Sequence, residues 1–131
     1  MDILERLKAS PQPLAKHLGI ELIEASPERV VARLAVTEAL CTVGGILHGG
    51  AVMALADSVG ATGAFLNLPR GAQTTTIESK TNFLKAAPVG TTVTATASPV
   101  HVGRCSSVWQ TRITDPSGKL LALVTQTQLT V

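Results

Sequence analysis

Residues 49–67 read GGAVMALADSVGATGAFLN, a stretch with no proline and one formal charge, and it constrains the fold more than any other part of the chain. Small and aliphatic side chains dominate it, and its length predicts one helix of ~28 Å at ~1.5 Å per residue. Four glycines, Asp57, Ser58 and Asn67 interrupt its apolar character, which argues against a membrane span. The remaining sequence must supply the sheet that such a helix covers.

Around it the chain reads as extended segments. Residues 3–18 carry Ile3, Leu4, Leu7, Leu14 and Leu18 around Pro11 and Pro13, which predicts a short helix, a break and a second turn or helix as a lead-in. From Ile20 to Val36 two extended runs flank Ser26-Pro27-Glu28-Arg29, a first hairpin in which Val30, Ala32, Leu34 and Val36 share one face. After Pro69-Arg70-Gly71, the set Thr75, Ile77, Ser79, Thr81 and Phe83 alternates with Thr76, Glu78, Lys80 and Asn82. Beyond Pro88-Val89-Gly90, the set Val93, Ala95 and Ala97 alternates with Thr92, Thr94 and Thr96. These two runs are expected to be neighbouring antiparallel strands. Asp115-Pro116-Ser117-Gly118 then marks a hairpin between residues 107–114 and 120–131. The expected order is short helix, two strands, long helix and about four strands in an antiparallel meander. That is an α+β architecture in a single domain over residues 1–131, with residues 1–18 as helical lead-in.

Composition narrows the function classes. Hydrophobic residues make up 45% and charged residues 15%, drier than a typical monomer, and such an excess usually goes to an interface. Phe65, Phe83 and Trp109 are the only aromatic side chains and the eleven Lys and Arg are scattered at a net charge of +2, so neither a stacking platform nor a basic stripe exists for nucleic acid. Cys41 and Cys105 lie far apart outside any metal-binding spacing and are read as free thiols in a reducing compartment. The first eight residues mix acids and bases without the apolar run of a secretory signal, so a cytoplasmic location is expected. No phosphate-cradling loop, zinc spacing or dinucleotide fingerprint occurs, and neither a metal nor a redox cofactor is expected.

The chemistry concentrates at Gly44-Gly45-Ile46-Leu47-His48-Gly49-Gly50 and the helix that follows. Between Ala39 and Pro69, Asp57 is the only formally charged residue. A carboxylate there needs a partner, a substrate or a raised pKa, unless it faces solvent or bonds across a subunit contact. Gly49 and Gly50 fall at the helix start, where the first N–H groups have no intrahelical partner and can hold a developing oxyanion; a flexible turn is the plainer reading of the pair.

His48-Gly49-Gly50 followed by Asp57 resembles the His-Gly-Gly signature of hotdog acyl-CoA thioesterases of the phenylacetate-pathway type, relatives of the 4-hydroxybenzoyl-CoA thioesterases and of the thioesterase of enterobactin biosynthesis. The resemblance runs from His17-Leu18-Gly19 to Thr127 and includes His101-Val102-Gly103-Arg104 and Asp115-Pro116-Ser117-Gly118-Lys119. It implies the hotdog fold, a long central helix wrapped by a curved antiparallel sheet of about five to six strands. It also implies hydrolysis of a small aryl- or short- to medium-chain acyl-CoA, with coenzyme A as part of the substrate rather than a cofactor. The protein would self-associate as a homodimer or a dimer-of-dimers tetramer.

By position, the resemblance gives Gly49 the carbonyl-polarising N–H and His48 a part in placing the thioester. Asp57, from the opposite subunit, is general base or nucleophile, and Thr76 helps to hold the water. Thr42, Gly50, His101, Gly103 and Arg104 fall to substrate binding, with Arg104 near the phosphates of the nucleotide. Two positions depart from the pattern. Thr42 stands where Asn or Gln is frequent and Ala61 where some relatives carry Ser or Thr, which bears on rate and substrate preference more than on reaction class. A non-hydrolytic acyl-CoA-binding module and a hotdog hydratase or dehydratase share this fold, although no hydratase-type Asp-x-x-x-x-His run is present.

Overall fold

The computed structural model describes residues 1–131. Helices α1 (Ile3–Ala9) and α2 (Pro13–Leu18) form the lead-in, the first opened by an Asp2/Glu5 capping box and the second by Pro13. Strands β1 (Glu21–Ser26) and β2 (Arg29–Ala35) make the first hairpin, and after a 3-10 turn at Glu38–Leu40 comes the long helix α3 (Gly49–Leu66). Four strands follow: β3 (Thr74–Phe83), β4 (Thr92–Val102), β5 (Ser106–Thr114) and β6 (Leu120–Thr130).

All six strands lie in one antiparallel sheet ordered β1-β2-β4-β5-β6-β3, and α3 packs against every one of them. By length and composition α3 is apolar enough to cross a membrane, yet half of it is buried against this sheet. The alternation expected for β2 and β4 holds: Val30, Ala32 and Leu34, with Val93, Ala95 and Ala97, are buried beneath the helix. They belong to a core of 19 residues that also contains Leu55, Ala56 and Val59 of α3 and Trp109 of β5. The β5–β6 turn is built as its sequence suggests. Asp115 Oδ1 accepts from the Ser117 hydroxyl and from the Ser117 and Lys119 amides, and these bonds, the hydroxyl's first, hold its carboxyl below the usual range.

The expected pairing of β3 with β4 is not found. β3 pairs with β6 at the far edge, while β4 sits between β2 and β5. The amides of Leu84 and Lys85 both bond to Leu121 O, so the chain stays on β6 as it leaves β3. It then crosses under the loop before α3, where Leu47 N bonds to Ala87 O and Val89 N to Gly45 O. The meander is therefore β4-β5-β6 alone. The alternation expected along β3 is also corrected, because the pairing with β6 shifts between Thr76 and Glu78. The extra residue, Ile77, bulges outward and stands 57% exposed, so Thr76 points to the helix side together with Ser79 and Thr81.

Candidate active site

The start of α3 is fixed by its own cap. His48 has extended backbone angles, and its Nδ1 accepts from Gly50 N–H at 2.8 Å. A ring that accepts at Nδ1 carries its proton on Nε2, so His48 presents a donor outward. Ala51 N and Val52 N both bond to His48 O, leaving the Gly49 N–H as the first-turn amide with no partner. The expectation that both glycine amides are open is thus corrected: the Gly50 N–H is committed to His48. A side chain at Gly49 would meet the Phe83 ring at 3.2 Å, so glycine keeps this approach clear.

Gly49 lines a pocket of about 420 Å³ walled mostly by apolar side chains, among them Ile46, Val52, Phe83 and Ile113, together with Thr42. Its lining contains no carboxylate. Lys85 also lines it, and the neighbouring Lys119, a competing donor and a second positive charge, holds the Lys85 ammonium below its usual pKa. Both lysines are exposed and neither forms an ion pair, since the ion pairs of the chain are Arg29–Glu24 and Arg33–Glu21.

Asp57 lies eight residues further along α3, an axial distance of ~12 Å. Half-buried, it is gripped at one oxygen: Oδ1 accepts from Thr76 Oγ1 at 2.6 Å and from Gln126 Nε2 at 3.0 Å. Thr76 in turn accepts from Gln128 Nε2 at 2.6 Å, and Gln128 Oε1 accepts from Thr74 Oγ1 at 2.9 Å. Asp57 Oδ2 receives no hydrogen bond from the chain. Thr76 is thus brought to the predicted carboxylate, but its proton is spent on Asp57 rather than offered to a water.

The β4–β5 turn lies at this same end of the sheet. Gly103 N bonds to Ser106 O, and Thr130 N to Cys105 O, which ties the turn to the end of β6 beside Thr74. His101 and Arg104 are exposed there, and the His101 ring packs so close to Gly103 that a Cβ would sit 2.9 Å from its Nε2. One chain therefore gathers Thr42, His48, Gly49 and Gly50 at one end of α3, and Asp57, Thr76, His101, Gly103 and Arg104 toward the other. Gln126 and Gln128 were missed from sequence. Their signal is their phase, because they fall on the inward face of β6 in step with Ala122 and Val124, where apolar residues belong.

A helix whose first residue, with its amide unpaired, lines an apolar pocket, backed by one sheet and carrying a single carboxylate at mid-length, fits a hotdog-fold hydrolase acting on activated carbonyls. A family model described as "Thioesterase superfamily" matches residues 44–122, and the chain belongs to that superfamily. It is 34% identical over 110 residues to the 1,4-dihydroxy-2-naphthoyl-CoA hydrolase of Listeria monocytogenes, covering 84% of this chain and 89% of that one. A thioesterase from Haemophilus influenzae superposes with a TM-score of 0.91 at 30% identity, covering 100% of this chain and 92% of the other. The E. coli protein PaaI, from the phenylacetic acid degradation operon, follows at 0.80 and 28%, covering 88% and 86%. The protein is a thioester hydrolase of the hotdog fold and of the PaaI-like type that its motif resembles.

Proposed function

We propose that this protein hydrolyses a small aryl- or short- to medium-chain acyl-CoA to the free acid and coenzyme A, at sites each assembled from two subunits. The observation that carries this reading is the separation along α3: Gly49, its N–H unpaired, lines a pocket without a carboxylate, and Asp57 lies ~12 Å away with Oδ2 open. A second copy with its helix antiparallel brings Asp57 of one subunit to Gly49 of the other, and twofold symmetry makes two such sites. The free edge of β3, with Ile77 and Phe83 exposed, suits edge-to-edge pairing of two sheets. Arg104, Lys85 and Lys119, cations without carboxylate partners, suit the phosphates of coenzyme A.

In the general-base route, Asp57 Oδ2 takes a proton from water as the water oxygen bonds to the thioester carbon. The carbonyl electrons move to the oxygen held by Gly49 N–H, collapse breaks the C–S bond, and the departing thiolate takes the proton from Asp57. In the nucleophilic route, Oδ2 itself attacks, the thiolate leaves, and water cleaves the resulting anhydride. Purified protein that binds an acyl-CoA without releasing thiol would favour the binding-module alternative.

The test of the shared site mixes two inactive variants. Gly49→Pro removes the amide donor at a first-turn position that accepts proline, where an added Cβ meets only the exposed Phe83 ring, and Asp57→Ala removes the carboxylate. Random reassociation at equal amounts makes about half the dimers mixed, and each mixed dimer holds one intact site, so roughly a quarter of normal activity returns. Activity that stays at the level of the separate variants, after exchange is verified by mass spectrometry, rejects the two-subunit site.

A further inference from the structure

We propose that Gln126 and Gln128 are positioning residues: with Thr76 they clamp Oδ1 of Asp57 and so assign Oδ2 as the oxygen that meets water or thioester, an inference that rests on the thioesterase reading. The bonds form a directed chain, from Thr74 to Gln128, from Gln128 to Thr76, and from Thr76 and Gln126 to Asp57 Oδ1. Each direction is forced. Turning the Gln126 amide over would set its oxygen 3.0 Å from a carboxylate oxygen, and turning Gln128 would set its oxygen 2.6 Å from Thr76 Oγ1, whose single proton cannot serve both that oxygen and Asp57 Oδ1. With one Thr76 lone pair taken by Gln128, its hydroxyl proton points to Asp57.

A second observation argues against a packing role. Gln126 is 0% exposed, and its Oε1 has no hydrogen-bond partner. A buried amide oxygen left unpaired is penalised, and Leu or Met at this inward position would avoid the penalty. What the glutamine supplies in exchange is the Nε2–H on Asp57. The helix accommodates it: a side chain at position 60 would collide with the Gln126 amide, so Gly60 lets that amide lie against α3 and reach Asp57 one turn earlier. Neutral donors on Oδ1 keep the carboxylate in a single rotamer, and the oxygen they leave uncovered is the one free to act.

The test is a double-mutant cycle read as kcat and KM on hexanoyl-CoA and benzoyl-CoA, with released thiol as the signal. Gln126→Met keeps the volume and removes the donor. In the wild-type background it should lower kcat about tenfold and move KM less than about twofold, with assembly and unfolding midpoint retained. In the Asp57→Ala background the same change should alter the residual rate less than about twofold, because no carboxylate remains to be positioned. Gln128→Met, which acts through Thr76, should give a smaller loss that also disappears in Asp57→Ala, and it carries the test if Gln126→Met fails to assemble. Equal fold-losses in both backgrounds, or an unchanged kcat, overturn the inference while leaving the thioesterase reading intact. A wild-type protein that turns over neither probe overturns both.

Discussion

At Asp57 one carboxylate carries two neutral donors on Oδ1 and none on Oδ2. That asymmetry predicts how the isosteric amide behaves. In Asp57→Asn the amide oxygen can still accept from Thr76 and Gln126, so the unfolding midpoint and the state of association should be unchanged while kcat falls at least ~100-fold, the scale of a lost general base. Near-normal turnover by an assembled variant would remove Asp57 from the chemistry. The lone charge in an apolar run and Gly49 at the helix start were readable from residue order, while the hydroxyl one strand later was implied by the family resemblance. The commitment of Gly50 to the His48 ring was not readable, because it depends on the rotamer of the cap.

At the scale of elements, the approach of α3 to the sheet is set by glycines that the sequence alone shows only as interruptions. A Cβ at Gly63 would lie 2.5 Å from the Trp109 ring, and that ring is fully buried with its Nε1 donating to Ser107 Oγ at 3.0 Å. Gly63→Ala should therefore cost about 1–3 kcal/mol by overpacking, despite the better helix propensity of Ala. Urea unfolding checks it, as a lower midpoint at unchanged slope; a stabilised variant would mean that the tryptophan yields freely. The bulge at Ile77 belongs to the same scale. Period-two alternation puts Thr76 and Ser79 on opposite faces, and only the inserted residue brings both to the helix side.

Over the whole molecule, the sheet order decides which residues share an end. Because β3 runs along the outside of β6, Thr76 meets Gln128 and joins Gln126 at the Asp57 carboxylate, and the β4–β5 turn with Arg104 comes to the same end as that carboxylate. If that turn borders the nucleotide, Arg104→Ala should raise KM for an acyl-CoA about tenfold and leave KM for the matching N-acetylcysteamine thioester, which has no phosphate, within about twofold. Equal effects on the two substrates would assign Arg104 to structure.

Residue order by itself determined the elements and the chemistry's core. Proline-free small residues specified one long helix, alternation specified the strands, Asp115 to Gly118 specified the last hairpin, and a lone carboxylate after His48-Gly49-Gly50 pointed to acyl transfer, which the family resemblance narrowed to thioester hydrolysis. These are local signals, carried by backbone propensity and by the cost of an uncompensated charge. Only the tertiary structure decided that β3 leaves β4 for β6, that Ile77 bulges, and that Gln126, 69 residues from Asp57, reaches its carboxylate. Such pairings come from closing the sheet around α3, which residue spacing along a chain does not encode; hydrogen bonds across it exist only once the strands have found their neighbours.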